Sequence, residues 1–467
     1  MTIATPNPPN GAQSLSLRRN ISWTFFGNVV YAASQSAILV ALAKLGTTEM
    51  LGLYVMGMAV VVPTFMFAGL QLRQIQATDS RQDYQFGEYL GLRLCTSLLA
   101  LAGLLCVVSV TGYTSFQGTI LLVVVLVGVA KFLESVSDIL YGLLQQHERL
   151  DRVAKSTMLH GLLSLSLLTL GVWLTGSIIC GLLGLVLSRV IVLMAFDLRS
   201  LLWLHRRCGP SEVGTVPFQQ SHRQHGLRPS WNLRRLSDLM WLGLPLGATM
   251  LLISVNTNLP RYFIHHFIGL EEVGIFGAIA GLMMAGGTLT RALNHASSPR
   301  LAKLFAAGDL PAFRRLFSRL LCLYLALGVA GIAAAAVIGR PFLTLLFRSE
   351  YAEFLDVLMY VMVALAVAYI AGLLDMALVS IRRIRLLVPL TCITTVTMLV
   401  ACSLLVPSRG LSGGGLALAI SKLPLVVFGM VLLWKSTRSV AQTRPYVRMP
   451  AGESQTASSQ RASRCAG

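Results

Sequence analysis

The chain has 467 residues, 55% hydrophobic and only 12% charged, with a net charge of +19. A soluble domain carries about 25% charged residues, so there is too little polar side chain to cover a water-soluble globule, and the composition points to an all-α polytopic membrane protein. The positive balance lies in connections between apolar runs, where it reads as membrane topology and attraction to anionic lipid, so no nucleic-acid partner is expected.

Residues 1–17 are polar, lack the basic run of a signal peptide, and read as a disordered cytoplasmic tail. Twelve apolar runs follow, each of about 20 residues and long enough to cross a core of about 30 Å. The first six are predicted at about 21–43, 49–70, 89–110, 119–143, 154–175 and 177–199. The second six are predicted at about 238–260, 273–295, 317–338, 357–380, 386–406 and 413–434. A basic stretch at 201–237, with Gly209, Pro210, Pro217 and Pro229, reads as a cytoplasmic linker between six-helix lobes at 18–200 and 238–435. Residues 436–467 read as a second disordered cytoplasmic tail.

Alternate connections differ sharply in charge. One set carries most of the 38 Lys and Arg, while the other holds only Lys44, Arg261, Arg340, Arg348 and Arg409. The basic set stays inside, which predicts a multi-pass protein with both termini in the cytoplasm. The eight cysteines are scattered and form no CxxC pair. They read as small hydrophobes, with no metal site.

Two short stretches echo each other. Glu49-Met50-Leu51-Gly52-Leu53-Tyr54 and Glu271-Glu272-Val273-Gly274-Ile275-Phe276 both read E-x-x-G-x-aromatic, and each leads into the second span of its half. Matching positions in two halves predict a duplicated bundle.

Three further stretches carry a family likeness: RRNISWTFFGN at Arg18–Asn28, LGTTEMLGLY at Leu45–Tyr54, and DILYGLLQQHERLDR at Asp138–Arg152. On these, and over roughly Ser16 to Trp434, the chain resembles the oligosaccharide flippases of polysaccharide and lipopolysaccharide biosynthesis. These belong to the multidrug/oligosaccharidyl-lipid/polysaccharide (MOP, MATE-like) exporter superfamily. The resemblance implies two six-helix lobes around a central cavity and alternating access. It implies an isoprenoid diphosphate bearing an oligosaccharide as substrate: an O-antigen, exopolysaccharide or capsule repeat unit. A polysaccharide polymerase and export machinery would be its partners. Such flippases often line the cavity with bases; span one here has no Lys or Arg, so that role must fall to other spans.

A diphosphate wants Arg or Lys in a protein-lined cavity. Lys131, Arg189 and Lys422 lie near mid-span, where a charge costs about 2.5–3.5 kcal/mol and so faces protein or water. No acid lies within one helical turn of Arg189 or Lys422. Arg93, nearer a span end, can snorkel. These four are the candidate diphosphate-binding residues. Lys131, Glu134 and Asp138 fall at i, i+3 and i+7 and share one helix face over about 10 Å of rise. That spacing fits both a self-neutralised pair and an ion-coupling site at Glu134 and Asp138. Asn28, Tyr31 and Gln35 also share a face, and with Asn256 and Asn258 they are candidate sugar contacts or, equally, interhelical hydrogen bonds. Asp375 is expected to pair with the Arg382–Arg383–Arg385 cluster, and Pro63, Pro245, Pro260, Pro389 and Pro424 to mark kinks.

The chain has no G-x-x-x-x-G-K-[ST] sequence. It is therefore read as a secondary transporter without a cofactor, with H+ or Na+ as candidate coupling ions. Two alternatives stay open. A drug or cation antiporter of the same superfamily would need an acidic cavity. A membrane-bound polysaccharide polymerase or ligase would need a long outer loop, and the longest here is predicted at about Gly339–Asp356; no enzymatic activity is expected.

Overall fold

The computed structural model describes residues 17–79, 83–110, 117–204, 228–381, 383 and 386–443, all of them in helices or short connections. Most of the two predicted tails and residues 205–227 of the linker lie outside the described residues. The first half comprises α1 (Leu17–Leu45), α2 (Thr48–Ala68), the short α3 (Leu72–Thr78), α4 (Phe86–Val110), α5 (Gln117–Gln146), α6 (Leu150–Thr175) and α7 (Ile178–Val192). A π turn, Leu193–Asp197, joins α7 to α8 (198–204). The second half comprises α9 (Leu233–Phe267), α10 (Leu270–Ala306), α11 (Leu310–Leu346), a 3-10 turn (Ser349–Phe354), α12 (Leu355–Ser380) and α13 (Leu387–Thr443). α13 is two helices joined at Gly410 (φ 61°, ψ −136°).

Eleven of the described helical segments are long and apolar enough to cross a membrane. The break at Gly410 makes the last of them two crossings, which gives the predicted twelve. Helix is the form that satisfies every backbone N–H and C=O within one segment in hydrocarbon. Lipid-facing positions stay apolar: Leu99, Trp173, Val337 and Leu345 are all exposed. The helices outrun the predicted spans. α9, for example, begins at Leu233 instead of 238, because Asn232 caps it and its first turns are polar. α11 likewise runs on to Leu346, which shortens the long outer loop foreseen at Gly339–Asp356. Arg261, read as a connection residue, lies inside α9, which continues through Pro260 without ending.

Within the first half α1 packs along α6, α6 on α7, and α5 on α4 and α7. Within the second, α12 packs on α11 and α13, and α13 on α9. The halves meet where α2 crosses α9 and α10 and where α1 crosses α10. Helices alternate in direction, so Leu17 and Thr443 share one end of the bundle, here the near end, and Leu45, Phe267 and Gly410 share the far end.

The far end is where the two echoed sequences meet. A Cβ on Gly52 would lie 2.1 Å from the Leu270 carbonyl oxygen. One on Gly274 would lie 2.6 Å from the Thr48 oxygen and 2.7 Å from the Gly52 nitrogen. Glycine at both positions lets the two backbones touch. Around this crossing Lys44 donates to the Leu345 oxygen at 2.7 Å, and Arg348 donates to the Lys44 and Gly46 oxygens at 2.9 and 2.8 Å. Thr48 donates to Glu271 at 3.1 Å.

Pro63 has no N–H, so the Ala59 carbonyl loses its partner within α2. The Tyr262 hydroxyl, from α9 in the other half, donates to that oxygen. Tyr262→Phe should therefore lower the thermal midpoint, by an amount equivalent to about 1 kcal/mol. A differential scanning measurement on the purified protein checks this.

Candidate functional site

α5 carries the polar stripe foreseen in the sequence, and the structure turns it inward. Lys131, Glu134, Ser135, Asp138, Tyr141 and Gln145 line a cavity of about 640 Å³ within the first half. α1 adds Asn28 and Tyr31, α6 adds Thr157 and His160, and α7 adds Arg189. The remaining wall comes from Val62, Phe65 and Met66 of α2, from Arg93 of α4 and from a sharp reversal after α2. Leu70 (φ 47°) and Gln71 (φ 52°) both adopt the left-handed conformation, which non-glycine residues avoid at a cost of about 1–3 kcal/mol each. Leu70 is held there by packing on Gly243 and Gly247 of α9, where any Cβ would lie within 3.0 Å of Leu70 or Phe67 atoms. The reversal swings α3 back so that Arg73 and Gln74 reach the cavity.

The charges form two sets of the same design, each with one carboxylate between two cations. Glu134 accepts from Lys131 Nζ at 3.0 Å and lies 3.3 Å from Arg189 Nη2. Asp138 meets Arg73 Nη1 at 3.2 Å and pairs directly with Arg93 Nη2. Arg93 also donates from Nε to the Ser135 carbonyl at 3.0 Å. Gly69 leaves room for it, since a Cβ there would lie 2.7 Å from Arg93 Nη1. The cavity thus holds four permanent cations against two carboxylates, a net of two positive charges.

Arg93 does not snorkel. Its side chain is 7% exposed and points into the protein, because Asp138 compensates its charge there. The lack of an acid within one helical turn of Arg189 does not leave it unpaired either; its partner comes from another helix. Asp138→Asn would leave Arg93 buried without a counter-charge. It should destabilise the protein by about 3–5 kcal/mol, read as a lowered thermal midpoint or lost monodisperse yield.

The other candidates lie elsewhere. Gln35 is a turn beyond Tyr31 and does not line the cavity; its buried Nε2 lacks a hydrogen-bond partner. Asn258 donates to the Ser254 carbonyl at 2.9 Å and accepts from Arg261 at 2.6 Å; both bonds lie within α9, so neither is the interhelical bond foreseen. Asn256 is buried beside it, away from this cavity. Lys422 sits in α13 within electrostatic reach of Asp375 on α12, in the second half. Of the Arg382–Arg383–Arg385 cluster expected to pair with Asp375, Arg383 is exposed and makes no ion pair with it, and Arg382 and Arg385 lie outside the described residues.

Sequence reading passed over Arg73, His160 and Asp197. Arg73 looked like a loop charge because the reversal at Leu70–Gln71 has no glycine to announce it. His160 and Asp197 had a visible signal, a lone polar titratable residue inside an apolar run. In the structure they face each other, His160 Nε2 to Asp197 Oδ2, at 3.6 Å.

About 62% of the chain matches a known family: a profile described as "Polysaccharide biosynthesis protein" covers residues 17–305. The capsular polysaccharide biosynthesis protein CapF of Staphylococcus aureus is 23% identical over 404 residues, covering 86% of this chain and 96% of that protein. Among solved structures, an outward-facing multidrug resistance MATE family transporter of the MOP superfamily aligns with a TM-score of 0.59 at 14% identity, covering 94% of this chain and 100% of that one. An inward-facing form of such a transporter aligns equally well, with a TM-score of 0.59 at 14% identity, covering 92% and 97%. A MOP superfamily transporter from Pyrococcus furiosus, described by a binding pocket of reverse polarity, aligns with a TM-score of 0.60 at 15% identity, covering 91% and 96%. The structural likenesses establish the fold, a multi-pass helical bundle of the kind seen in MOP superfamily transporters, and the family match places this chain in the polysaccharide biosynthesis protein family.

Proposed function

We propose that the protein moves an isoprenoid-diphosphate-linked oligosaccharide from the inner to the outer leaflet of the bacterial cytoplasmic membrane by alternating access. One observation carries this reading: the cavity has two cations for each carboxylate. Each set is tolerable when empty, because its carboxylate compensates the bases, yet it retains one positive charge for an arriving phosphate. A diester diphosphate brings two negative charges and matches the excess. A cationic drug would meet repulsion, so the antiporter alternative fits this cavity poorly.

In this reading the near end is cytoplasmic and the glycine crossing closes the outer end. Gln74 and Gln145 border the near side of the cavity, and Asn28 and Tyr31 offer amide and hydroxyl groups to the sugars. The isoprenoid tail stays in lipid. The membrane potential favours outward movement of an anion by about 2.3 kcal/mol per charge per 100 mV. Exchange with H+ or Na+ would add to this drive, and a polymerase and export machinery would take up the product.

Binding to the purified protein tests the reading. A prenyl-diphosphate-linked sugar should bind, weakening as salt rises, and the same prenyl sugar without phosphate should not. Equal binding of the two would remove the cations from the site.

A further inference from the structure

Behind the two charge sets lies a third polar group that they do not explain. The π turn Leu193–Asp197 aims Asp197 inward, where its side chain is 1% exposed. Such turns recur at functional sites. Asp197 accepts from the Ser156 hydroxyl, which in turn accepts from the Tyr141 hydroxyl at 2.6 Å; the Tyr141 oxygen also lies 3.5 Å from the carboxylate. No lysine or arginine lies within 4 Å of the carboxylate among the described residues; the ionisable base facing it is His160. His160 lines the cavity, and both its ring nitrogens are buried without a hydrogen-bond partner.

A carboxylate removed from water beside no permanent cation is costly. One proton carried by the pair, on the carboxyl or on the ring, would make it neutral as a unit. When an anion enters the cavity, its charge favours the proton on the ring. The proton then leaves the Asp197 carboxyl for His160 Nε2, and the imidazolium Nδ1–H is left to donate to a phosphate oxygen. No bond to the substrate forms and no electron changes hands. Loss of the proton to solvent leaves the pair with a negative charge, which repels the same anion.

Resting on the function proposed above, we infer that His160, backed by Asp197, is a further phosphate-binding group of the cavity, one whose donor strength depends on a single shared proton. The other charged and titratable groups around it are Arg189 on α7, Lys131, Glu134 and Tyr141 on α5, and Tyr31 on α1. Lys131 and Arg189 are already committed to Glu134, whereas the ring nitrogens of His160 face only Asp197, at 3.6 Å, and the cavity.

The test uses the full chain in nanodiscs and, as probe, N-acetylglucosamine linked through a diphosphate to a geranyl chain. Esterified at both ends, this diphosphate carries two charges. His160→Gln and His160→Asn should each bind it about tenfold more weakly than the wild type, and Asp197→Asn, which keeps the imidazole but removes the carboxylate behind it, should lose a similar share. Thermal unfolding of each variant checks that the fold is kept. If either His160 variant or Asp197→Asn folds and binds as tightly as the wild type, the inference is wrong while the flippase reading stands. If the wild type does not bind the probe, both fall.

Discussion

Replacing Arg189 by Ala should reduce transport about a hundredfold while leaving the protein folded. The side chain is 5% exposed and shares Glu134 with Lys131. Without Arg189, Glu134 and Lys131 remain a neutral pair at 3.0 Å, so no buried charge is stranded. What disappears is the excess positive charge of that set, and a lost charge-assisted contact to phosphate corresponds to roughly 2–3 kcal/mol, or about a hundredfold. Glu134→Gln gives the opposite pattern. It keeps both cations but strands them side by side, so it should destabilise the fold by about 3–5 kcal/mol. Thermal unfolding and flipping measured on both variants separate binding from stability. Equal loss of fold in the two would show that the set is only structural.

Gly274→Leu should abolish transport by preventing closure of the far end. The absent Cβ would already lie 2.6 Å from the Thr48 oxygen, and a leucine adds three more carbons in the same direction. Overpacking of this kind costs about 1–3 kcal/mol even where neighbours can adjust. Here the neighbour is backbone, and the form that relieves the clash is one in which the halves have parted. Two transport states differ by a few kcal/mol, so this cost inverts their populations. Gly52→Leu acts on the same crossing from the other side and should behave alike. Pulsed EPR distances between labels at Thr47 and Glu350 should lengthen in both variants. Unchanged distances with normal transport would mean that the glycines are not needed for closure.

The sequence disclosed one helix's share of the site and little of its pairing. Lys131, Glu134 and Asp138 were legible because their spacing is set by the helical repeat alone. Their partners were not, because Arg93 lies 45 residues from Asp138 and Arg73 lies 65 residues from it. Only packing brings α3, α4 and α7 against α5. Arg93 misled for a physical reason: proximity to a helix end permits snorkelling, but a buried carboxylate opposite it is the better partner. The echoed glycines were visible as a repeat, while their contact depended on two halves folding back on each other. The twelve crossings were legible throughout, since lipid solvation acts on every residue of a span. The true helix ends were not, since polar caps such as Asn232 extend helices beyond the apolar run.

In the function proposed, this cavity carries a lipid diphosphate across the bilayer. The direct measurement reconstitutes the full chain in liposomes with a fluorescent prenyl-diphosphate-linked sugar and follows its leaflet change with a membrane-impermeant quencher. Rapid flipping by the wild type is expected, accelerated by an interior-negative potential and lost in Arg189→Ala. No flipping by a folded wild type, or expulsion of a cationic dye in its place, would contradict it.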